Sequence, residues 1–237
     1  MRHPARRRPR AAVAAAAAAV AGLPARPARR LRSVRRSDET GPPVTQEGRE
    51  RFSRGLILAL PGLAEFTTRW RSTSYAPDHP TLPLERRFPP HVTLLTPWAE
   101  PDDVDALGRL RAVAERSRPL RLRFATADQF AGTGVVWLRP DPDPSLTALL
   151  DDVLGAFPEY PPYDGQHPEP TLHLTVSADA CPGVLTEVQR ALAAAGPLEH
   201  DVDRISVYAR REDTIWREAA WVPLGDGCAR VGAPRPV

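Results

Sequence analysis

One unit of local pattern occurs twice in this chain, and that repetition constrains the fold more than any other feature. His91-Val92-Thr93-Leu94 returns as His173-Leu174-Thr175-Val176, 82 positions later. Leu120 and Val202 stand at the same shift of 82, and Trp137 and Trp221 at a shift of 84. Around each copy the periodicity reads strand, helix, strand, strand, and repetition of a whole unit indicates duplication. Two copies predict a pseudo-symmetric pair of lobes, around residues 88–140 and 170–225, and not a solenoid.

The elements follow from hydrophobic spacing. Gly55 to Leu60 is an apolar run of strand length, followed by a short helical segment after Pro61. His91 to Leu95 reads as a strand. Val104, Leu107, Leu110 and Val113 then recur at helical spacing, with Asp102, Asp103 and Asp105 where the helix dipole favours acids. Leu120, Leu122 and Phe124 alternate with Arg121 and Arg123 as in a half-buried strand, and Gly134 to Arg139 supplies its hairpin partner. Asp143-Pro144 opens a second helix carrying Leu146, Leu149, Leu150, Val153, Leu154 and Phe157. A Pro-rich loop, Pro158 to Pro170, leads into a strand from Thr171 to Val176. Pro182 to Gly196 is a further helix, Ile205 to Ala209 a strand, and Thr214 to Leu224 the last strand.

Charge divides the chain unevenly. Residues 1–50 hold 12 arginines against 4 acids, and residues 51–237 hold 20 against 25. The basic character therefore belongs to an Arg/Ala-rich N-terminal extension (1–50), expected to be a disordered arm or the product of a start codon placed too early. Its alanine run and Ala19-Val20-Ala21 outline a signal peptide in residues 1–21, but the arginines that follow disfavour export. The folded part, 51–237, lacks the surplus positive charge that a long-duplex groove needs. Recognition of one phosphate or of a strand end stays open. No apolar run is long enough to span a bilayer. Cys181 and Cys228 fit neither a metal nor a redox spacing.

Side chains two apart on a strand share a face. His91 and Thr93 therefore project together, as do His173 and Thr175, while Val92, Leu94, Leu174 and Val176 face a core. Two imidazoles around one centre suit acid–base cleavage of a phosphodiester, because one can be neutral while the other is protonated. The threonine hydroxyls can donate to the non-bridging phosphate oxygens. His79-Pro80-Thr81 also matches the bare pattern, but Pro77, Pro80 and Pro83 exclude a central strand there. His3, His167 and His200 read as surface residues, and a metal site built from His79, His91, His167 and His173 lacks the spacing of strong sites. Possible substrate contacts are Arg87 for phosphate and Phe130, Tyr160 and Tyr163 for a base.

The paired His-x-Thr strands, the Pro89-Pro90-His91-Val92-Thr93-Leu94 context and the closing Trp221-Val222-Pro223-Leu224-Gly225 strand resemble the 2H phosphoesterase superfamily, in particular its 2′-5′ RNA ligase or RNA 2′,3′-cyclic phosphodiesterase family. The likeness runs from Arg51 to Gly225. It implies an α+β fold, duplicated and bilobal, with two antiparallel sheets and outer helices around a central cleft. It further implies that His91 and His173 are catalytic, that Thr93 and Thr175 bind phosphate, and that neither metal, ATP nor another cofactor takes part. The implied reaction opens a 2′,3′-cyclic phosphate to a 2′-phosphate, with 2′-5′ ligation in reverse. The partners it implies are RNA ends or small cyclic nucleotides, met by a cytoplasmic monomer with no membrane contact. The alternative is a nucleotide- or RNA-end-binding module with little catalysis.

Overall fold

The computed structural model describes residues 54–70, 88–167, 170–178, 182–210 and 216–225. In chain order these form β1 (Arg54–Ala59), a 3-10 turn (Pro61–Leu63) entering the short α1 (Ala64–Thr67), β2 (His91–Leu95), α2 (Val104–Arg116), β3 (Leu120–Gln129) and β4 (Val136–Pro140). There follow α3 (Pro144–Ala156), a 3-10 turn (Pro162–Gly165), β5 (Leu174–Ser177), α4 (Val184–Ala195), β6 (Leu198–Val202), β7 (Arg204–Arg210) and β8 (Trp216–Pro223). The N-terminal extension, His79, Arg87, Cys181 and Cys228 lie outside the described residues. Among the described residues no helix is long and apolar enough to cross a membrane.

Helix boundaries follow the capping chemistry. Asp103 accepts from the Ala106 N–H at the start of α2 (2.9 Å), and Asp143 accepts from the Ser145 N–H at the start of α3 (2.7 Å), with Pro144 at the first helical position. Gly196 ends α4 at φ 79°, a left-handed value that a side chain would resist.

All eight strands belong to one sheet, in the order β6-β3-β4-β5-β2-β1-β7-β8, and every neighbouring pair is antiparallel. The expectation of two sheets is corrected here. The two motif strands β2 and β5 pair directly, Val92 opposite Leu174, and their backbone hydrogen bonding fuses the halves. The sheet also interleaves the stretches 88–140 and 170–225. β3 and β4 lie on the β5 side, and β7 and β8 lie on the β2 side. Trp137 thus sits on β4 beside β5, whereas Trp221 sits on the edge strand β8. β6, which the periodicity did not indicate, forms the other edge by pairing with β3.

The helices line one face of this sheet. Leu110 and Val113 of α2, Leu149 and Val153 of α3, and Val188 and Leu192 of α4 share a single core with Leu58, Val92, Leu94, Leu122, Phe124, Leu138, Leu174, Val176 and Val207. Alternation then sends the intervening strand residues to the opposite face. Leu174 is central: fully buried, it pairs with Val92 on one side and Leu138 on the other. Leu174→Ala is expected to lower unfolding stability by about 2–5 kcal/mol in urea denaturation, and a loss below about 1 kcal/mol would contradict the packing described.

Candidate active site

The register of β2 on β5 determines what the polar face carries. With Val92 opposite Leu174, antiparallel pairing sets His91 across from Thr175 and Thr93 across from His173. Residues directly opposite share a face, so two imidazoles and two hydroxyls form one quadrilateral on the face away from the helices. The histidines stand on its diagonal, where neighbours are about 7–8 Å apart and their Cβ atoms somewhat closer. On the flanking strands, Ala59 and Ile57 of β1 lie beside His91 and Thr93, and Trp137 of β4 lies beside Thr175. Continuing that register one step past Leu138 and Leu174 sets Arg139 beside His173.

Both histidines are anchored in the same way. His91 Nδ1 stands 2.9 Å from the carbonyl oxygen of Pro89, and His173 Nδ1 stands 2.6 Å from that of Thr171. A carbonyl oxygen only accepts, so each Nδ1 carries the proton and donates it. In the neutral ring Nε2 is then the basic nitrogen. A carbonyl two residues upstream thereby sets tautomer and ring orientation together.

Each imidazole also meets a stacked aromatic pair. Phe88 lies 4.3 Å from the His91 ring and stacks on Trp216 at 4.9 Å and 11°. Phe130 lies 5.0 Å from the His173 ring, edge to face, and stacks on Trp137 at 4.9 Å and 23°. An arginine accompanies each indole, Arg210 at 5.7 Å from Trp216 and Arg139 at 5.1 Å from Trp137. The two surroundings differ in exposure. His91 is 8% exposed and Phe88 equally so, whereas His173 and Phe130 are half-buried. Burial nonetheless lowers the His173 pKa below the usual 6.5, outweighing the Thr171 carbonyl bond, which favours the charged ring.

The remaining expected contacts divide. Phe130 is at the quadrilateral, against His173. Tyr160 is half-buried and packs on the helix-side core, so it anchors its loop. Tyr163 donates its backbone N–H to the Thr96 carbonyl (2.7 Å), beyond the end of β2, and its ring meets His167 at 5.2 Å. His200, on β6, packs against the turn after β1, where a Cβ on Gly62 would come within 2.8 Å of its Nδ1. Burial lowers its pKa, and its position there is structural. Among the described residues no three His, Cys, Asp or Glu side chains converge as a metal site would require. Sequence reasoning missed Phe88, Trp216 and Arg139. The spacing of Phe88 three residues ahead of His91 was the available signal, whereas Trp216 and Arg139 become neighbours of the site only through strand order.

A family model described as the 2′-5′ RNA ligase superfamily matches residues 60–214, which include the whole quadrilateral. The chain belongs to that superfamily. Among solved structures, this superfamily member is similar to Escherichia coli LigT complexed with 3′-AMP (18% identity, 75% of this chain and 100% of that one, TM-score 0.49). It is also similar to a protein described as a phosphoesterase (21% identity, 73% and 98%, TM-score 0.47) and to one from Thermus thermophilus (17% identity, 73% and 98%, TM-score 0.48). No curated protein matches the chain.

The anchoring predicts a spectroscopic result. In the neutral forms of both histidines, nitrogen-15 NMR should report the Nδ1-protonated tautomer. A ring of either residue protonated at Nε2 would contradict the hydrogen bonding described.

Proposed function

We infer that this chain is a two-histidine phosphodiesterase that opens 2′,3′-cyclic phosphates at RNA ends or on nucleotides, with 2′-5′ ligation as the reverse reaction, and that it uses neither ATP nor a metal. The observation that carries this reading is the quadrilateral of His91, Thr93, His173 and Thr175 on one sheet face, with both imidazoles anchored through Nδ1. Superfamily membership supports it at the level of the family. The matched motifs support a duplicated ancestry in which each half contributes one histidine and one threonine.

The chemistry balances with these groups alone. His173, in its neutral form, accepts a proton at Nε2 from the attacking water. The new P–O bond forms as the bond from phosphorus to the 3′ oxygen breaks, leaving a 2′-phosphate. His91, protonated at Nε2, gives its proton to the departing oxygen. Thr93 and Thr175 donate hydrogen bonds to the non-bridging oxygens, on which charge builds in the transition state. Hydrolysis leaves His173 protonated and His91 neutral, and proton exchange with solvent restores the starting pair; a 5′-hydroxyl attacking the cyclic phosphate in place of water uses that same starting pair and forms the 2′-5′ bond. Phe130, half-exposed beside His173, offers a stacking surface to the base of the substrate.

His91→Ala and His173→Ala should each lower kcat/KM for a nucleoside 2′,3′-cyclic phosphate by about 100-fold or more, with EDTA present throughout. Full activity in either variant sinks the reading, and tight binding without turnover by the wild-type chain would make it a binding module instead.

The pH profile carries a second expectation. A base must be deprotonated to act, and the His173 pKa lies below 6.5, so the acid limb of kcat/KM should have its midpoint below pH 6.5. A midpoint above that value would remove His173 from the role of base.

A further inference from the structure

The polar face continues outward from His173 over β4, β3 and β6, about 15 Å of sheet at the usual strand spacing. A polynucleotide whose terminal base rests on Phe130 would lay its next phosphates along such a flank. Here, however, each arginine that β4 and β3 present on that face is, among the described residues, held by a carboxylate. Arg139, the neighbour of His173, bonds Asp128 at 3.0 Å. Arg123 is paired with Asp141 and has Glu199 at 3.8 Å. Arg121 bonds Glu199 at 2.6 Å and has Asp201 at 3.7 Å. Three cations therefore meet four anions, and the flank is net negative.

Resting on the phosphodiesterase reading above, we propose that this site is built for nucleoside-sized substrates, and that the carboxylates of β6, Glu199 and Asp201, set the limit by denying a phosphate track to the preceding nucleotides. Exposed ion pairs hold little free energy of their own. Their effect is on the field: an arginine shared with a carboxylate no longer presents a net charge to a passing phosphate. The Arg121 guanidinium also holds the Glu199 carboxyl below the usual carboxylate range, so mild acidification does not release the arginine. Substrate grip then concentrates on one phosphate and one base, at the quadrilateral and Phe130.

The test uses the full chain and competes unlabelled ligands against a fluorescent nucleoside 2′-monophosphate. The ligands are the same unlabelled monophosphate, an RNA decamer ending in a 2′-phosphate, and a decamer ending in hydroxyls to measure end-independent binding by the Arg-rich tail. After that correction, the phosphate-ended decamer should bind within about threefold of the monophosphate, with a salt slope no steeper than about −1.4, the value for two phosphates on a single strand. A preference for the decamer of tenfold or more, with a slope of about −3 or steeper, overturns the proposal. In a Glu199→Gln/Asp201→Asn variant the decamer should gain about tenfold and its salt slope should steepen, while the monophosphate is unaffected. No gain for the decamer overturns the role of these carboxylates. Turnover of the matching cyclic phosphates is followed in parallel. Absence of turnover with the affinity pattern intact would remove the catalytic reading alone and leave the size limit standing.

Discussion

The pairing of β2 with β5, fixed by Val92 opposite Leu174, is the contact on which the rest depends. It joins the two halves into one sheet, and by its register it decides which side chains meet. A slip of one residue would turn His173 and Thr175 toward the helices and bring Leu174 to the polar face. The register is held because that slip would also expose Leu174 and Val176 while burying an imidazole among Leu94, Leu138 and Val153. Core packing on one face is thus what aligns the chemistry on the other.

Register alone would still leave two imidazoles free to turn about their side-chain torsions. The carbonyls of Pro89 and Thr171 remove that freedom from one end, and the aromatic pairs Phe88–Trp216 and Phe130–Trp137 remove it from the ring faces and edges. Three parts of the chain converge for this purpose around each histidine: the segment just ahead of the motif strand, a flanking strand or loop, and the strand itself. The two imidazoles are thus held in fixed orientation on the shared face.

Much of this was legible in the sequence. Alternation around His91 and His173 identified both motif strands and their polar faces, and Asp103 and Asp143-Pro144 marked the helix starts that the structure contains. Strand order was not legible. The shifts of 82 and 84 matched Leu120 with Val202 and Trp137 with Trp221 without revealing that β3 and β4 cross to the β5 side while β7 and β8 join β1. Local periodicity carries no information about long-range partners, so a direct pairing of β2 with β5 could not be told from two sheets facing a cleft. β6 escaped notice because Glu199, His200 and Asp201 interrupt its apolar signal, as suits an edge strand that must not recruit another chain. Phe88 and Trp216 escaped for a related reason: an aromatic just ahead of a strand, or at a strand's first residue, declares its role only once its stacking partner is placed.

A repeated unit by itself yields two equal halves, in which either imidazole could take the role of acid or of base. Environments that push two proton affinities apart assign those roles. The motif residues and the Nδ1 anchors are common to both halves, so any division of labour has to come from what surrounds them. The differences lie in the aromatic columns. Phe88 has the His91 ring on one side and stacks on the partly buried Trp216 indole, and Phe88 and His91 are themselves almost fully buried. Phe130 stacks on Trp137 but meets His173 only edge to face, and it keeps part of its surface in solvent. One half has therefore closed around its histidine, and the other has kept an aromatic surface open beside it. The partly exposed Phe130 beside His173, against the buried Phe88 beside His91, is thus the difference between two otherwise matched surroundings.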